Sequence, residues 1–293
     1  MEDLESHFKD FRELNVQWVV LSGGEALMHK NLFTLCEAFK ETGAKISLLS
    51  TGLLLKKHAE NVVKWCDEVI VSLDGSEDVH NEIRNIPNVY AKMKEGILSV
   101  RAVKKDIRIT GRCVLQKLNY KDFPNIIKAA HDLQLDEISF LGADVSTSAF
   151  NRPELWGDEK VVEVALNEED AKAFEKIAEQ TFKDYKADFD NKFVAENPDK
   201  IRKIVQHYQS LLGLAPPPEI RCNAPWVSAV IETNGDVLPC FFHKSMGNIA
   251  DASITEIINS EEAVSFRKSL DIEKDPICQN CVCYLSLKPS ASF

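Results

Sequence analysis

The sequence predicts an α/β fold built on a parallel sheet and followed by a small cysteine-rich α+β extension. Two observations predict the sheet: strand-length apolar runs alternate with amphipathic helical stretches, and the repeat is about 30 residues, the length of a βαβ unit. A third predicts the extension, since five of the eight cysteines lie between Cys222 and Cys283. Polar turns at residues 22–25, 50–52, 72–75 and 142–146 follow strand ends. Such carboxyl ends form the active face both in an α/β barrel and in a doubly wound sheet, and these observations leave the two architectures open.

Leu4, Phe8, Phe11 and Leu14 recur at helical spacing, so an amphipathic helix should open the chain. Residues 16–21 form a near-continuous apolar run, expected as a strand buried on both faces. Residues 31–42 carry Leu32, Leu35, Cys36 and Phe39 on one helical face, with Gly43 as the stop, and residues 45–49 form the next strand. Helices are expected at 54–66, 89–103, 123–133 and 168–182, and strands at 68–73, 107–115 and 136–141, with Pro124 early in its helix. Residues 151–158, with Pro153, Trp156 and Gly157, read as a long loop. Residues 186–214 are charged and mostly helical with a break at Pro198, and Pro216 to Pro218 make a stiff connector. The expected organisation is a barrel-like unit over 1–183, a helical and proline linker over 184–220, and a cysteine domain over 221–293. In that domain residues 227–232 and 237–242 flank Asn234-Gly235 as a hairpin, and 254–270 form a helix.

A chain of 293 residues with 44% hydrophobic content can bury a large core plus a small appendage. Acids outnumber bases 46 to 35 and no long basic run offsets the net charge of −11, which argues against nucleic acid as a partner. No window approaches the ~18 apolar residues of a membrane span. Residues 1–15 lack the apolar core of a signal peptide, so the expected setting is the cytoplasm, where thiols stay reduced.

Cys278, Cys281 and Cys283 form a C-x-x-C-x-C run, and Cys222 and Cys240 can close a coordination sphere from flanking segments. Structural disulfides require an oxidising compartment, and inert buried thiols do not cluster beside Gly and Pro turns, so metal binding is the favoured reading. Zinc and an iron–sulfur cluster both use four thiolates, and spacing alone does not choose between them. His243, just after Cys240, reads as a surface histidine rather than a ligand.

Ser22-Gly23-Gly24-Glu25, Ser50-Thr51-Gly52, and Ser72-Leu73-Asp74-Gly75 followed by His80-Asn81 and Arg84 resemble, in this order, motifs of radical S-adenosylmethionine (SAM) enzymes. Cys222, twelve residues, Gly235, four residues, Cys240, and then Cys278-x-x-Cys281 resemble the SPASM or twitch extension of that family. The resemblance implies a partial (βα)6-type TIM-like barrel whose first strand is missing. It implies SAM contacts at Gly23, Gly24, Glu25, Ser50, Thr51, Ser72, Asp74 and Arg112, with Glu25 on the methionine amine. It also implies an auxiliary [4Fe-4S] cluster on Cys222, Cys240, Cys278 and Cys281, with Cys283 as substitute ligand or neighbouring thiol. Gly52 stands where the family usually has Asn, and Asn81 where it has Asp. Arg112 has a second reading, as a partner of an acid at the core edge.

The family's C-x-x-x-C-x-x-C loop does not occur in the sequence, and Cys36, Cys66 and Cys113 read as structural thiols. The expectation is a chain that starts about one βα half-unit late and lacks the radical-generating cluster, a second [4Fe-4S] belonging to a full-length form. What the resemblance implies for function is oxidoreductase or maturase-like chemistry on a peptide or small molecule, with Asp144 and Ser146 near substrate and a donor such as ferredoxin or flavodoxin. The alternatives are a catalytically silent binding protein whose tail is stapled by iron–sulfur or zinc, and a zinc module without redox role.

Overall fold

The computed structural model describes residues 2–149, 152 and 154–287. Helices α1 (Glu2–Glu5) and α2 (Phe8–Glu13) replace the single expected helix; the chain turns at Ser6 and His7 to bury Phe8 and Phe11 against Phe39. Then follow β1 (Trp18–Leu21), α3 (Leu32–Glu41), β2 (Lys45–Ser50), α4 (Leu55–Trp65), β3 (Glu68–Ser72), α5 (Glu77–Arg84), α6 (Val89–Val103), β4 (Arg108–Leu115), α7 (Phe123–Asp132) and β5 (Glu137–Gly142). All neighbouring strands are parallel and their order in the sheet is their order in sequence. A doubly wound sheet reverses direction at a switch point, and this one does not; the strands form an arc of a barrel.

One face of the sheet is dry. Ile46, Leu48, Val69, Val71, Ile109, Cys113 and Ile138 are fully buried there in one cluster with Cys36, Leu55, Val62, Met93 and Ile97 from the helices. The opposite, concave face mixes polar side chains with Val20, Leu49, Ile70 and Leu141, none of them buried. At its N-terminal end, Trp18 Nε1 donates to Ser47 Oγ and Ser47 Oγ to Glu68, while Arg108 donates to both Glu68 and Glu137, a polar chain that crosses all five strands. The expectation that the first strand is buried on both faces is corrected: Trp18 and Val20 are 45% and 55% exposed. Among the described residues β1 pairs only with β2, and on the concave side Trp18 meets Ser47 and the Lys45 ammonium, 5.3 Å from its ring, rather than an apolar layer. The far edge is covered by Val194, bridged to Ile138.

After β5 come α8 (Asp158–Val164), which the sequence did not suggest, α9 (Glu168–Asp184), α10 (Lys186–Asp190) and α11 (Pro198–Leu211). Asn151 and Pro153 of the expected loop lie outside the described residues. Pro198 starts α11 rather than breaking a helix, with the Asn197 side chain accepting from Lys200 N. Much of the expected linker is therefore barrel wall: Ile201 and Tyr208 are fully buried, and the Tyr208 hydroxyl donates to Leu115 O while accepting from Ala143 N, joining the ends of β4 and β5.

The tail comprises α12 (Ala224–Val227), a small antiparallel sheet of β6 (Val230–Ile231), β7 (Asp236–Leu238) and β8 (Gly247–Asn248), then α13 (Ile254–Ile258), α14 (Glu261–Ser269) and α15 (Pro276–Gln279). The hairpin turns at Gly235, whose φ of 90° suits glycine. One expected helix becomes α13 and α14 because Ser260 caps a new start, its side chain accepting from Ala263 N. The tail is anchored at both sides of the arc. Ile254 N donates to Asp10 on α2, and Val282 lies beside Gly142 at the end of β5. Among the described residues no helix is long and apolar enough to cross a membrane.

Candidate functional site

The turns after β1 and β2 meet at Glu25. Its carboxylate accepts from Ser50 Oγ, Thr51 N, Thr51 Oγ1 and Leu27 N, so both oxygens are engaged within the protein. An incoming ammonium must therefore displace a hydroxyl rather than find a free oxygen. Gly23 and Gly24 have open space where a side chain would be, and their backbone is accessible to a ligand. Gly52 accounts for its own departure from the family pattern. Its φ is 84°, and any Cβ would stand 2.6 Å from Met93 Cγ, so Asn would not fit beneath α6.

Asp74 is buried behind β3 and held from three sides. Arg84 Nε donates to Oδ2, Asn119 Nδ2 donates to the Asp74 carbonyl at 2.8 Å, and Asp74 N donates to His80 Nδ1 at 3.1 Å. That last bond leaves the His80 proton on Nε2, which has no partner among the described residues, and burial pushes His80 down to about 4. Asp74, His80 and Arg84 thus brace the β3 turn. Ser72 and Arg112 are register partners across β3 and β4 on the concave side. The alternative reading of Arg112 is not what the structure shows: it is exposed and, among the described residues, has no acidic partner, only Ser139 Oγ at 3.4 Å. Asp144 is buried and tied to Ser146, Thr147 and Arg152.

The five tail thiols lie within reach of one another's charge. Cys240, Cys278 and Cys281 each feel the charge of Cys222, Cys281 also feels Cys283, and Cys222, Cys240 and Cys281 each accept a backbone N–H. Ala224 N lies 3.5 Å from Cys222 Sγ, the amides of Phe242 and His243 serve Cys240, the Cys283 amide serves Cys281, and His243 Nε2 lies 3.4 Å from Cys278 Sγ. Cys283 feels Cys240 as well as the charges of Arg112, Asp144 and Lys200 at the barrel mouth. Burial outweighs the donors and pushes the thiols of Cys240, Cys281 and Cys278 up, the last to about 12, so a cation is needed to ionise them. His243 corrects the surface expectation: it is 8% exposed, edge-on to Phe266. Among the described residues no three thiols lie within 4.8 Å of one another.

A radical SAM superfamily profile matches residues 1–130, and the SPASM iron–sulfur cluster-binding domain matches residues 222–282. The chain is a radical SAM protein with a SPASM domain. GTP 3',8-cyclase of Staphylococcus epidermidis is 38% identical over 88 residues, 29% of this chain and 26% of that protein. Fe-coproporphyrin III synthase of Methanosarcina barkeri is 23% identical over 257 residues, 82% of this chain and 60% of that protein. The chain thus spans 26% and 60% of the lengths of these curated relatives. A solved structure described as native anSMEcpe with bound AdoMet and Cp18Cys peptide superposes with a TM-score of 0.66 at 20% identity, covering 96% of this chain and 79% of that one. It shares the fold.

In this radical SAM protein, Cys36, Cys66 and Cys113 are buried on the helix-side face, far in function from any ligand role: Cys36 hydrogen-bonds Cys66, and Cys113 lies within 3.6 Å of Asn119. The sequence did not reveal Asn119, which is fully buried between Asp74 and Val114, nor Tyr208. Neither sits in a motif. Each lies among polar residues, Asn119 between Lys117 and Lys121 and Tyr208 between Gln206 and Gln209, so no local pattern marks it.

Proposed function

We propose that this chain binds SAM at the strand-end turns and an auxiliary [4Fe-4S] cluster at Cys222, Cys240, Cys278 and Cys281, and holds a peptide or small-molecule substrate between them. The observation that carries the proposal is the set of four thiols, three supplied with a backbone N–H and the fourth beside His243 Nε2, on a tail whose Val282 lies against Gly142 at the end of β5. N–H donors stabilise thiolates, and a cluster supplies the compensating charge. When bound, the auxiliary cluster would supply electron transfer or a substrate anchor, whereas one-electron cleavage of SAM belongs to the radical-generating cluster, whose C-x-x-x-C-x-x-C loop does not occur in this sequence. The residues of this chain bind and position. Gly23 and Gly24 admit the ligand to the backbone, Glu25 exchanges hydroxyl donors for an ammonium, and the braced Asp74 turn keeps Ser72 in place. Arg112, exposed and without an acid, suits a carboxylate on the substrate or on SAM. We draw the boundary of the cysteine domain at residues 212–220, and an acidic electron carrier such as ferredoxin or flavodoxin would serve the clusters.

A second reading, a binding protein with a zinc-stapled tail, has one specific observation behind it. His243, Asp275 and Cys278 place ligand atoms within 4.8 Å of one another, close enough for a single ion. One experiment separates the two. Iron, sulfide and zinc are counted on the chain reconstituted without oxygen, and SAM binding is read by equilibrium dialysis. About four irons with matching sulfide, lost in Cys281→Ala, together with SAM binding weakened by Glu25→Gln, supports the first reading. One zinc per chain with no stable iron refutes it.

A further inference from the structure

We propose that His243 donates its Nε2–H to the Cys278 sulfur of the tail cluster and thereby raises that cluster's reduction potential. The proposal rests on the cluster reading above. Three of the four ligand thiols take their hydrogen bonds from backbone amides nearby: Cys222 from Ala224, Cys240 from Phe242 and His243, and Cys281 from Cys283. Cys278 does not share this arrangement. Its sulfur meets two side chains: Asp275, whose carboxylate can only accept from a protonated thiol and so loses this contact once the sulfur ligates iron, and His243 Nε2, 35 residues away, at 3.4 Å.

The chemistry of the donor pair sets the direction. A thiolate ligating iron has no proton to give, so the imidazole must be the donor and the proton must sit on Nε2. The ring is held for this task. It is 8% exposed and packs edge-on against Phe266 at 4.9 Å between centroids, while Asp275 Oδ1 is 3.9 Å from Nε2 and occupied by the amides of Ile277 and Cys278. Asp275 therefore fixes the Cys278 backbone as the N-cap of α15, and His243 addresses the sulfur. A hydrogen bond to a cluster sulfur draws off electron density and favours the reduced form.

The test uses the whole chain reconstituted without oxygen, as wild type, His243→Phe and His243→Gln. Iron and sulfide content and the reduction potential are measured, the latter by a dye-mediated titration read by electron paramagnetic resonance. We expect unchanged iron in all three, a more negative potential in His243→Phe, and recovery in His243→Gln, whose amide can still donate. Wild-type protein labelled with nitrogen-15 histidine gives an independent readout, a weak nitrogen coupling to the reduced cluster. An intact cluster with an unmoved potential, or no nitrogen coupling, overturns the proposal and leaves the cluster reading standing. Strong nitrogen coupling with iron lost in His243→Phe overturns it too, making His243 a ligand. Zinc in place of iron in the wild type overturns both.

Discussion

Replacing Gly96 by Ala sets two effects of opposite sign against each other. Gly96 lies inside α6, where Ala is favoured over Gly by about 1 kcal/mol through helix propensity and a less disordered unfolded chain. Here, however, a Cβ would stand 2.6 Å from the carbonyl oxygen of Gly52 and 2.9 Å from Leu55 Cβ. Neither neighbour can yield cheaply, one being backbone and the other a fully buried side chain at the start of α4. Overpacking of this kind costs about 1–3 kcal/mol, and with backbone as the obstacle the upper end applies. The net is a loss of about 2 kcal/mol, which at an m-value of about 3 kcal/mol/M lowers the urea midpoint by about 0.7 M. The displaced turn also carries Ser50 and Thr51, the donors to Glu25, so SAM affinity should fall with stability. Urea unfolding followed by circular dichroism, with SAM dialysis on the same protein, checks both. A gain of about 1 kcal/mol with unchanged affinity would refute the close packing of α6 on the turn.

Tyr208→Phe removes the hydroxyl that joins Leu115 O and Ala143 N in a fully buried position, and unfolding should become easier by about 2 kcal/mol. His80 makes stability depend on pH. Its folded value is about 4 against an ordinary 6.5, so the unfolded chain binds more protons between these limits. Stability is full above about pH 6.5 and falls by about 3 kcal/mol as the pH drops to about 4. Midpoints measured from pH 7.5 to 4.5 should fall less steeply in His80→Gln, and parallel slopes would contradict this. Cys283→Ser should retain about four irons while Cys278→Ser loses them, and iron loss in the former would move Cys283 into the ligand set.

The periodicity of apolar residues made α6, α7 and β2 to β5 legible to within a residue or two, because their buried faces follow the period of the element. The candidate site turns were legible only from the order of their motifs, since a glycine pair or an Asp-Gly at a strand end is by itself more often a plain turn. Cys222, Cys240, Cys278 and Cys281 could be singled out by spacing, but Cys283 could not be separated from them. In the fold Cys283 feels Arg112 and Asp144 but also Cys240, and its charge reaches Cys281, so the iron content of Cys283→Ser decides its place. The role of Pro198 was misjudged because a proline stops one helix or starts another, and the cap at Asn197 settles which.

By itself the sequence determined the alternation of strands and helices, the polar turns and the cysteine-rich tail, all consequences of local pattern. Tertiary structure alone decided the rest. Sequential strand order made an arc rather than a doubly wound sheet, and the unpartnered edge left Trp18 and Val20 uncovered. The third dimension also turned His243 inward onto Cys278, a partner 35 residues away. A hydrogen bond between residues so distant in sequence has no period and no spacing rule, so it exists only once the chain has folded.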